Sequence, residues 1–408
     1  MRYFTALLIL IITQTSVAQS KNLLTARAGF KTRIIEMTDN KDSFDKPDAK
    51  TFSLIKYPTS IGDMSAYLSK VKDKSKKHPA IIWITGGSAP GGMGSDAWRY
   101  VDNKNDQSAK TYRLNGMVMM YPSFRGTFGN PGIQEGYYGE VNDILDALEY
   151  LRKTPYIDAN QIYLGGHSSG GTLALLAATA TDKFKAVFSF GPVSSPHLYD
   201  QALHNDSISK ENYLRAPINF LKYIKCPTFV IEGARSNNAE ELDLLENKNP
   251  FISCHKIERA NHFNILSSAN KLLALKIVSK EKLKVSTKEF QKAHDDLQVS
   301  NIEAEELRTL AKYRQWGYKF DKAYTLHYYF YSTSKKVLAK LSKELQRSGY
   351  KQHSLKSYKD NNGSPYHWLS VKKLQDLSQM KAIFAIAKKM KTLEAKYDTS
   401  YDGWNIPD

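Results

Sequence analysis

Ile162-Tyr163-Leu164-Gly165-Gly166-His167-Ser168-Ser169-Gly170-Gly171 is the stretch on which the reading of this chain turns. Gln161–Leu164 reads as a buried strand, and Thr172–Thr179 is a small-residue run that reads as a helix. Between them Gly166, Ser168 and Gly170 take the Gly-x-Ser-x-Gly spacing of a nucleophile elbow. A serine there sits on a sharp turn, and only residues without side chains let strand and helix pass so closely. The helix start also aims backbone N–H groups and a positive dipole end at whatever the serine attacks. Ser168 is therefore expected to be a nucleophile, and the N–H of Ser169 one donor to a developing oxyanion. His167 is expected to point off the elbow and pack.

Working outward, strand-like and helix-like runs alternate. Lys31–Met37, Thr51–Tyr57 and Met64–Leu68 read as lead-in strands. Pro79–Thr85 and Gly116–Tyr121 are continuous apolar runs suited to buried parallel strands. Tyr138–Leu151 has apolar residues at helical spacing (Val141, Ile144, Leu145, Leu148, Leu151). Phe184–Phe190, Thr228–Ile231 and Ser253–Ile257 continue the strands, and Ser267–Val278 closes the region with a helix. The pattern predicts an α/β fold with a mostly parallel sheet covered on both faces.

Acyl transfer needs a second oxyanion donor, a general base and an acid to orient it. Thr85-Gly86-Gly87-Ser88 directly follows the strand Ile81–Ile84, so Gly86 or Gly87 is expected to supply the second N–H. The base must follow the serine in the chain. Of the ten histidines, His262 in Asn261-His262-Phe263 lies between the last strand and the last helix of this region. The acid should follow Thr228–Ile231. Glu232 ends that strand 30 residues before His262 and is chosen to orient it, with a purely structural carboxylate, paired with Arg235, as the alternative. No metal or cofactor is expected.

The N-terminus pairs Arg2 with the apolar run Tyr3–Ile12 and ends in Ser16-Val17-Ala18. This pattern predicts a secretory signal, residues 1–18, cut after Ala18, against a buried helix or retained anchor. Gln19 rather than Cys follows the cut, which speaks against a lipoprotein. No other stretch is long and apolar enough to span a bilayer, so an exported chain, periplasmic or secreted, without a membrane span is expected. Export permits a bond between the only two cysteines, Cys226 and Cys254, with two buried free thiols as the alternative.

The 408 residues carry 58 Lys/Arg against 41 Asp/Glu, a net charge of +17. Residues 301–408 hold 20 Lys/Arg and 11 Asp/Glu, or +9, leaving +8 for the first 300. Residues 281–300 read as a linker or connecting helix. The remainder reads as a small α+β domain: helices at Ala304–Lys312, Lys335–Arg347 and Leu377–Ala395, with strands at Tyr324–Tyr331, Tyr350–Leu355 and Tyr366–Val371 around a turn at Asn361-Asn362-Gly363. Charge alone is weak evidence for nucleic acid, and no RNA-binding signature accompanies the lysines, so no specific nucleic acid is expected.

Residues 50–280 resemble the prolyl-oligopeptidase and dienelactone-hydrolase branch of the α/β-hydrolases. The resemblance rests on Trp83-Ile84-Thr85-Gly86-Gly87, Tyr121-Pro122-Ser123-Phe124-Arg125-Gly126, the helix Asp143–Leu151, the elbow, and Asn261-His262-Phe263. It implies a serine hydrolase acting on peptide or ester bonds, with Ser168 as nucleophile and His262 as base, in a domain of residues 19–280. Two features depart from it. The family's His-Gly-x-x-Asp after the seventh strand is here Glu232-Gly233-Ala234-Arg235-Ser236, which puts serine at the usual acid position. An N-terminal propeller like the one that filters substrates in the oligopeptidases is also not expected here. Residues 301–408 resemble the regulator of ribonuclease E activity B, through Leu307–Trp316, His327-Tyr328-Tyr329-Phe330-Tyr331 and Tyr401-Asp402-Gly403-Trp404. That resemblance implies a ferredoxin-like sandwich with a protein partner. Asp402 and Trp404 are expected to close a core or pocket. An exported chain would not meet a cytoplasmic ribonuclease, so the fold carries over and the inhibitor role does not. The rival reading is a non-catalytic binding protein on a hydrolase scaffold, favoured by the altered acid motif.

Overall fold

The computed structural model describes residues 22–36, 43–87, 95–99, 103–199, 204, 208–280, 282–359 and 363–407. The expected signal at 1–18, Ser88, and Asn361-Asn362 of the expected turn lie outside the described residues. Contacts divide the chain into two compact units, Met1–Thr287 and Lys288–Asp408.

The first unit opens with a short helix α1 (Leu23–Arg27) and a hairpin of β1 (Phe52–Thr59) and β2 (Gly62–Ser69). Then come β3 (His78–Ile84), α2 (Thr111–Leu114), β4 (Val118–Pro122), α3 (Glu140–Lys153), β5 (Ile157–His167), α4 (Ser169–Ala178) and β6 (Val187–Phe190). The unit closes with α5 (Ser209–Arg215), β7 (Thr228–Gly233), α6 (Glu241–Leu245), β8 (Ile252–Ile257) and α7 (Ile265–Val278). The eight strands lie in the order β1-β2-β4-β3-β5-β6-β7-β8. β2 pairs antiparallel with both neighbours, and β3 to β8 pair parallel.

Burial on both faces explains the apolar runs. Ala80, Ile82 and Ile84 of β3 join one core with Val141, Ile144, Leu148 and Leu151 of α3 and with α4. Trp83 turns the other way, 6.2 Å from Tyr112 of α2, which packs on α7. α4 is buried along its whole length, so only small and apolar residues fit there. This sheet order, with a serine turn between the central strand β5 and the buried helix α4, is the expected α/β-hydrolase fold. The loop after β4 is pinned by Arg125, whose Nη2 donates to fully buried Asp143 Oδ1 at 2.7 Å and whose Nη1 donates to Glu135 Oε1 at 2.9 Å.

One expectation fails here, and two readings left open are decided. Lys31–Met37 is not a strand: within its described residues only Ile34 bridges, to His204. The Arg33 N–H and the Thr32 hydroxyl instead donate to the Glu211 carboxylate, at 2.7 and 2.9 Å, and so take a side chain in place of a strand partner. Cys226 and Cys254 are free thiols. β7 and β8 are neighbours, but the register sets Cys254 opposite Val230, four residues past Cys226, which separates the two by roughly 13 Å along the strands. Of the two readings of residues 281–300, the connecting helix is what stands there from Thr287 on. A single 29-residue helix, α8, runs Thr287–Gln315, because no proline or glycine interrupts its Lys-, Glu- and Gln-rich sequence.

The second unit continues from α8 through β9 (Ala323–Ser332), α9 (Lys335–Arg347), β10 (Lys351–Lys359), β11 (Pro365–Asp376), α10 (Met380–Tyr397) and β12 (Ser400–Asn405). Its antiparallel sheet has the order β10-β11-β9-β12, and α9 and α10 pack together beside it, which makes the expected ferredoxin-like α+β sandwich. Leu338, Leu341 and Leu345 of α9 share one core with Tyr328, Phe330, Leu369 and Val371. Trp404 closes that core: it stacks on Tyr313, and its Nε1 donates to Glu306 Oε2 at 2.7 Å.

Candidate active site

Ser168 stands between the last residue of β5 and the first of α4 with φ 55° and ψ −120°. A residue with a side chain holds such a backbone at a cost of about 1–3 kcal/mol, and only where its surroundings impose it. Here they do. The Ser168 N–H donates to Phe190 O at 2.7 Å, and Ser168 O accepts from Thr172 N at 2.9 Å. A Cβ at Gly166 would lie 2.3 Å from Gly170 O, so the elbow admits nothing larger at that position. Ser168 does not cap α4 with its own side chain, although it stands at the positive end of that helix.

The expected base and acid meet. Glu232, at the end of β7, is fully buried, and its Oε2 accepts from His262 Nδ1 at 2.7 Å. The other oxygen, Oε1, accepts the Gly233 N–H at 2.6 Å. Asn261 Oδ1 accepts from Phe263 N at 3.0 Å and Asn264 N at 2.9 Å, a tight side-chain turn that presents His262 just before α7. Ser236, where the family pattern carries its acid, donates its hydroxyl to Glu232 Oε2 at 3.1 Å. The carboxylate thus sits four residues earlier, at the strand end.

Gly191 joins this pair to the elbow. It follows Phe190, the acceptor of the Ser168 N–H, and has φ 56°. A Cβ there would lie 2.4 Å from Glu232 Oε2 and 2.5 Å from His262 Cε1. The backbone of residue 191 is therefore the floor under the imidazole. No periodicity or motif in the sequence marks it.

Gly86 and Gly87 reach the same place from β3. A Cβ on Gly86 would lie 3.0 Å from the Cβ of Ser168. The Gly86 N–H is directed at Gln107 Oε1 at 3.4 Å, and Gly87 O accepts from Ser169 Oγ at 2.8 Å. His167 packs, as expected, and also does more. Its ring lies 4.4 Å from that of His262, and burial pushes its pKa down to about 3, with the neighbouring His262 adding to the effect. The neutral ring donates from Nε2 to His262 O at 2.9 Å. Its Nδ1 is then an acceptor and takes the Gln107 Nε2 amide at 2.8 Å. A chain of bonds thus runs from the Gly86 loop through Gln107 and His167 to the His262 backbone. Tyr199 borders the serine as well: its hydroxyl bonds Thr172 Oγ1 at 2.8 Å and the Ser168 side chain, and burial pushes its pKa up to about 12. Gln107, Gly191 and Tyr199 were not read from the sequence, because the fold, not local spacing, brings them in.

Chemically, this is a serine on a strained turn at a helix start, and an imidazole whose Nδ1 is held by a buried carboxylate.

Residues 104–239 match the prolyl oligopeptidase family, and residues 303–406 match the regulator of ribonuclease activity B. Both resemblances stated from the sequence therefore hold. A probable dipeptidyl-aminopeptidase B of Talaromyces stipitatus is 30% identical over 151 residues, 35% of this chain and 15% of that protein. Dipeptidyl-peptidase 5 of Porphyromonas gingivalis is 31% identical over 122 residues, 28% of this chain and 17% of that protein. The chain thus spans about a sixth of the length of these curated relatives. Among solved structures, the Pyrococcus horikoshii acylaminoacyl peptidase is 18% identical with a TM-score of 0.45, covering 59% of this chain and 44% of that one.

Proposed function

We propose that the chain is an exported serine hydrolase that cleaves peptide or ester bonds through an acyl-enzyme. The observation that carries this reading is the Glu232–His262 pair, closed at 2.7 Å beside the strained turn of Ser168. The chain order Ser168, Glu232, His262 is the order that a nucleophile elbow calls for. In this reading Ser168 Oγ attacks the carbonyl carbon and His262 Nε2 takes its proton. Glu232 holds Nδ1–H and stabilises the imidazolium that forms. Backbone N–H groups of Ser169 and of Gly86 or Gly87 receive the oxyanion. The 3.4 Å bond from Gly86 to Gln107 is long enough to be exchanged for it. His262 then returns the proton to the leaving group, and water repeats the sequence on the acyl-Ser168 ester.

The matched family and the dipeptidyl-peptidase relatives favour peptide bonds within this class. Export rests on the sequence of residues 1–18; among the described residues no helix is long and apolar enough to cross a membrane. A protein partner for residues 301–408 rests on the match to the regulator of ribonuclease activity B alone. The rival, non-catalytic reading draws on the serine at 236; Glu232 in contact with His262 supports the catalytic reading against it.

Pre-steady-state hydrolysis of p-nitrophenyl acyl esters and of peptide p-nitroanilides tests the proposal. A burst of product equal to the enzyme, absent in Ser168→Ala, supports it; no turnover of either class by the folded chain overturns it.

A further inference from the structure

The sheet of the second unit has two unlike faces. One meets α9 and α10 through Tyr328, Phe330, Leu369 and Val371. The opposite face takes the alternate residues of the same strands, and its side chains fall outside that core. Four of its aromatic rings form one band across three strands. Tyr329 of β9 stacks with Trp368 of β11 at 5.4 Å and 14°. Tyr358 of β10 stacks with Tyr366 of β11 at 5.6 Å and 23°, and meets Trp368 at 6.4 Å. Tyr358 is 40% exposed, and the other three rings are half-buried. A folded core gains nothing from four large rings on a solvent face.

Charge and unpaired polar groups accompany the rings. The register sets Lys356 opposite Trp368 and Lys351 opposite Lys372, so three lysines border the band. The acids lie at its margins, Asp402 beside Tyr331 and Asp376 at the end of β11. On the same face Trp368 Nε1, Ser370 Oγ and Ser354 Oγ have no hydrogen-bond partner among the described residues. Ser354 and Ser370 stand directly opposite each other, and Ser370 is fully buried. These atoms have no accessible surface, so the rings and lysines are what this face offers to a ligand.

Flat π faces bordered by lysines fit one ligand chemistry. Bases of a single strand stack on aromatic rings of a sheet, and phosphates meet the lysines. A neutral glycan would use the rings and leave the lysines idle, and a duplex keeps its bases stacked away from them. We propose that the open face of the β10-β11-β9-β12 sheet binds single-stranded nucleic acid without base preference. Lysines alone did not suggest this from the sequence, because the rings and cations come from three strands and meet only through the register.

Anisotropy of a fluorescein-labelled oligothymidylate with the full chain tests this proposal. Expected is saturable binding, roughly micromolar and weakening steeply with salt. Trp368→Ala and Tyr358→Ala should each weaken it about tenfold. Lys356→Glu, at an exposed position on edge strand β10, should weaken it and flatten the salt slope. Ser168→Ala should bind as the wild type does, so failure of the hydrolase reading leaves this test untouched. No binding, equal binding to heparin that survives Trp368→Ala and Tyr358→Ala, preference for duplex, or saturable binding of a neutral oligosaccharide in its place would each overturn the proposal.

Discussion

Gly191→Ala is the perturbation that isolates the geometry of the proposed triad. The new methyl would sit 2.4 Å from Glu232 Oε2 and 2.5 Å from His262 Cε1, where ordinary contact begins at 3.4 Å. Carboxylate and ring must therefore retreat by about 1 Å, and a short 2.7 Å hydrogen bond does not survive that shift with its geometry intact. Misplacement on this scale costs on the order of 100-fold in rate. The same substitution also places alanine at φ 56°, which costs about 1–2 kcal/mol of stability. In a domain of this size that lowers Tm by roughly 2–4 °C per kcal/mol. Gly116→Ala separates the two effects: it has φ 87° and nothing within 4 Å of the added methyl, so it carries the backbone strain without the collision. Ester or peptide hydrolysis, measured beside thermal melts, should show both variants melting lower and only Gly191→Ala losing kcat. A Gly191→Ala enzyme with wild-type kcat would refute the reasoning, as would a Gly116→Ala enzyme equally impaired in kcat.

Glu232→Gln should leave the fold intact and lower kcat by about 10⁴, as expected when an amide replaces the acid that orients a catalytic imidazole; Ser236→Ala, which removes only a neutral donor at 3.1 Å, should cost a few-fold in the same assay. Burial holds His167 near pKa 3 and His255 near 4, so both stay neutral in the folded state while the unfolded chain protonates them below its ordinary 6.5. The unfolded state then binds more protons, and stability should fall as pH drops from about 6.5 toward 4, with His167→Gln flattening that slope in melts taken across the range. Gln keeps a donor for His262 O, so His167→Gln should retain most activity where His167→Phe loses it. Asp143→Ala leaves the buried Arg125 guanidinium without its main partner and should destabilise the first unit by roughly 3–5 kcal/mol in urea unfolding.

The strongest sequence signals were those with a single physical cause. The parallel strands were legible because burial on both faces demands unbroken apolar runs, as in Ala80–Ile84, and the elbow was legible because its glycines answer a steric need at fixed offsets. Glu232 was an open choice because the family position points to residue 236, and only packing shows Ser236 and His262 converging on one carboxylate. The failure and the readings left open share a cause too. A strand reading of Lys31–Met37 could not see that Glu211, some 180 residues on, takes its donors. The cysteines lie on neighbouring strands as supposed, but a shift of four residues in register decides against the bond. The first half of helix α8 stayed open between linker and connecting helix because it has no apolar stripe to read, although nothing in it stops a helix. Gly191 and Gln107 belong to no motif at all. Their roles exist only once β6 and the loop after β3 stand beside the serine.

The central claim is that Ser168 is an activated nucleophile. The direct measurement is the intact mass of the folded chain after a fluorophosphonate, with the modified residue located by peptide mapping. The account predicts one adduct per chain, on Ser168, lost in Ser168→Ala and slowed in His262→Ala. A folded wild-type chain that takes no adduct, or takes it elsewhere, would contradict the account.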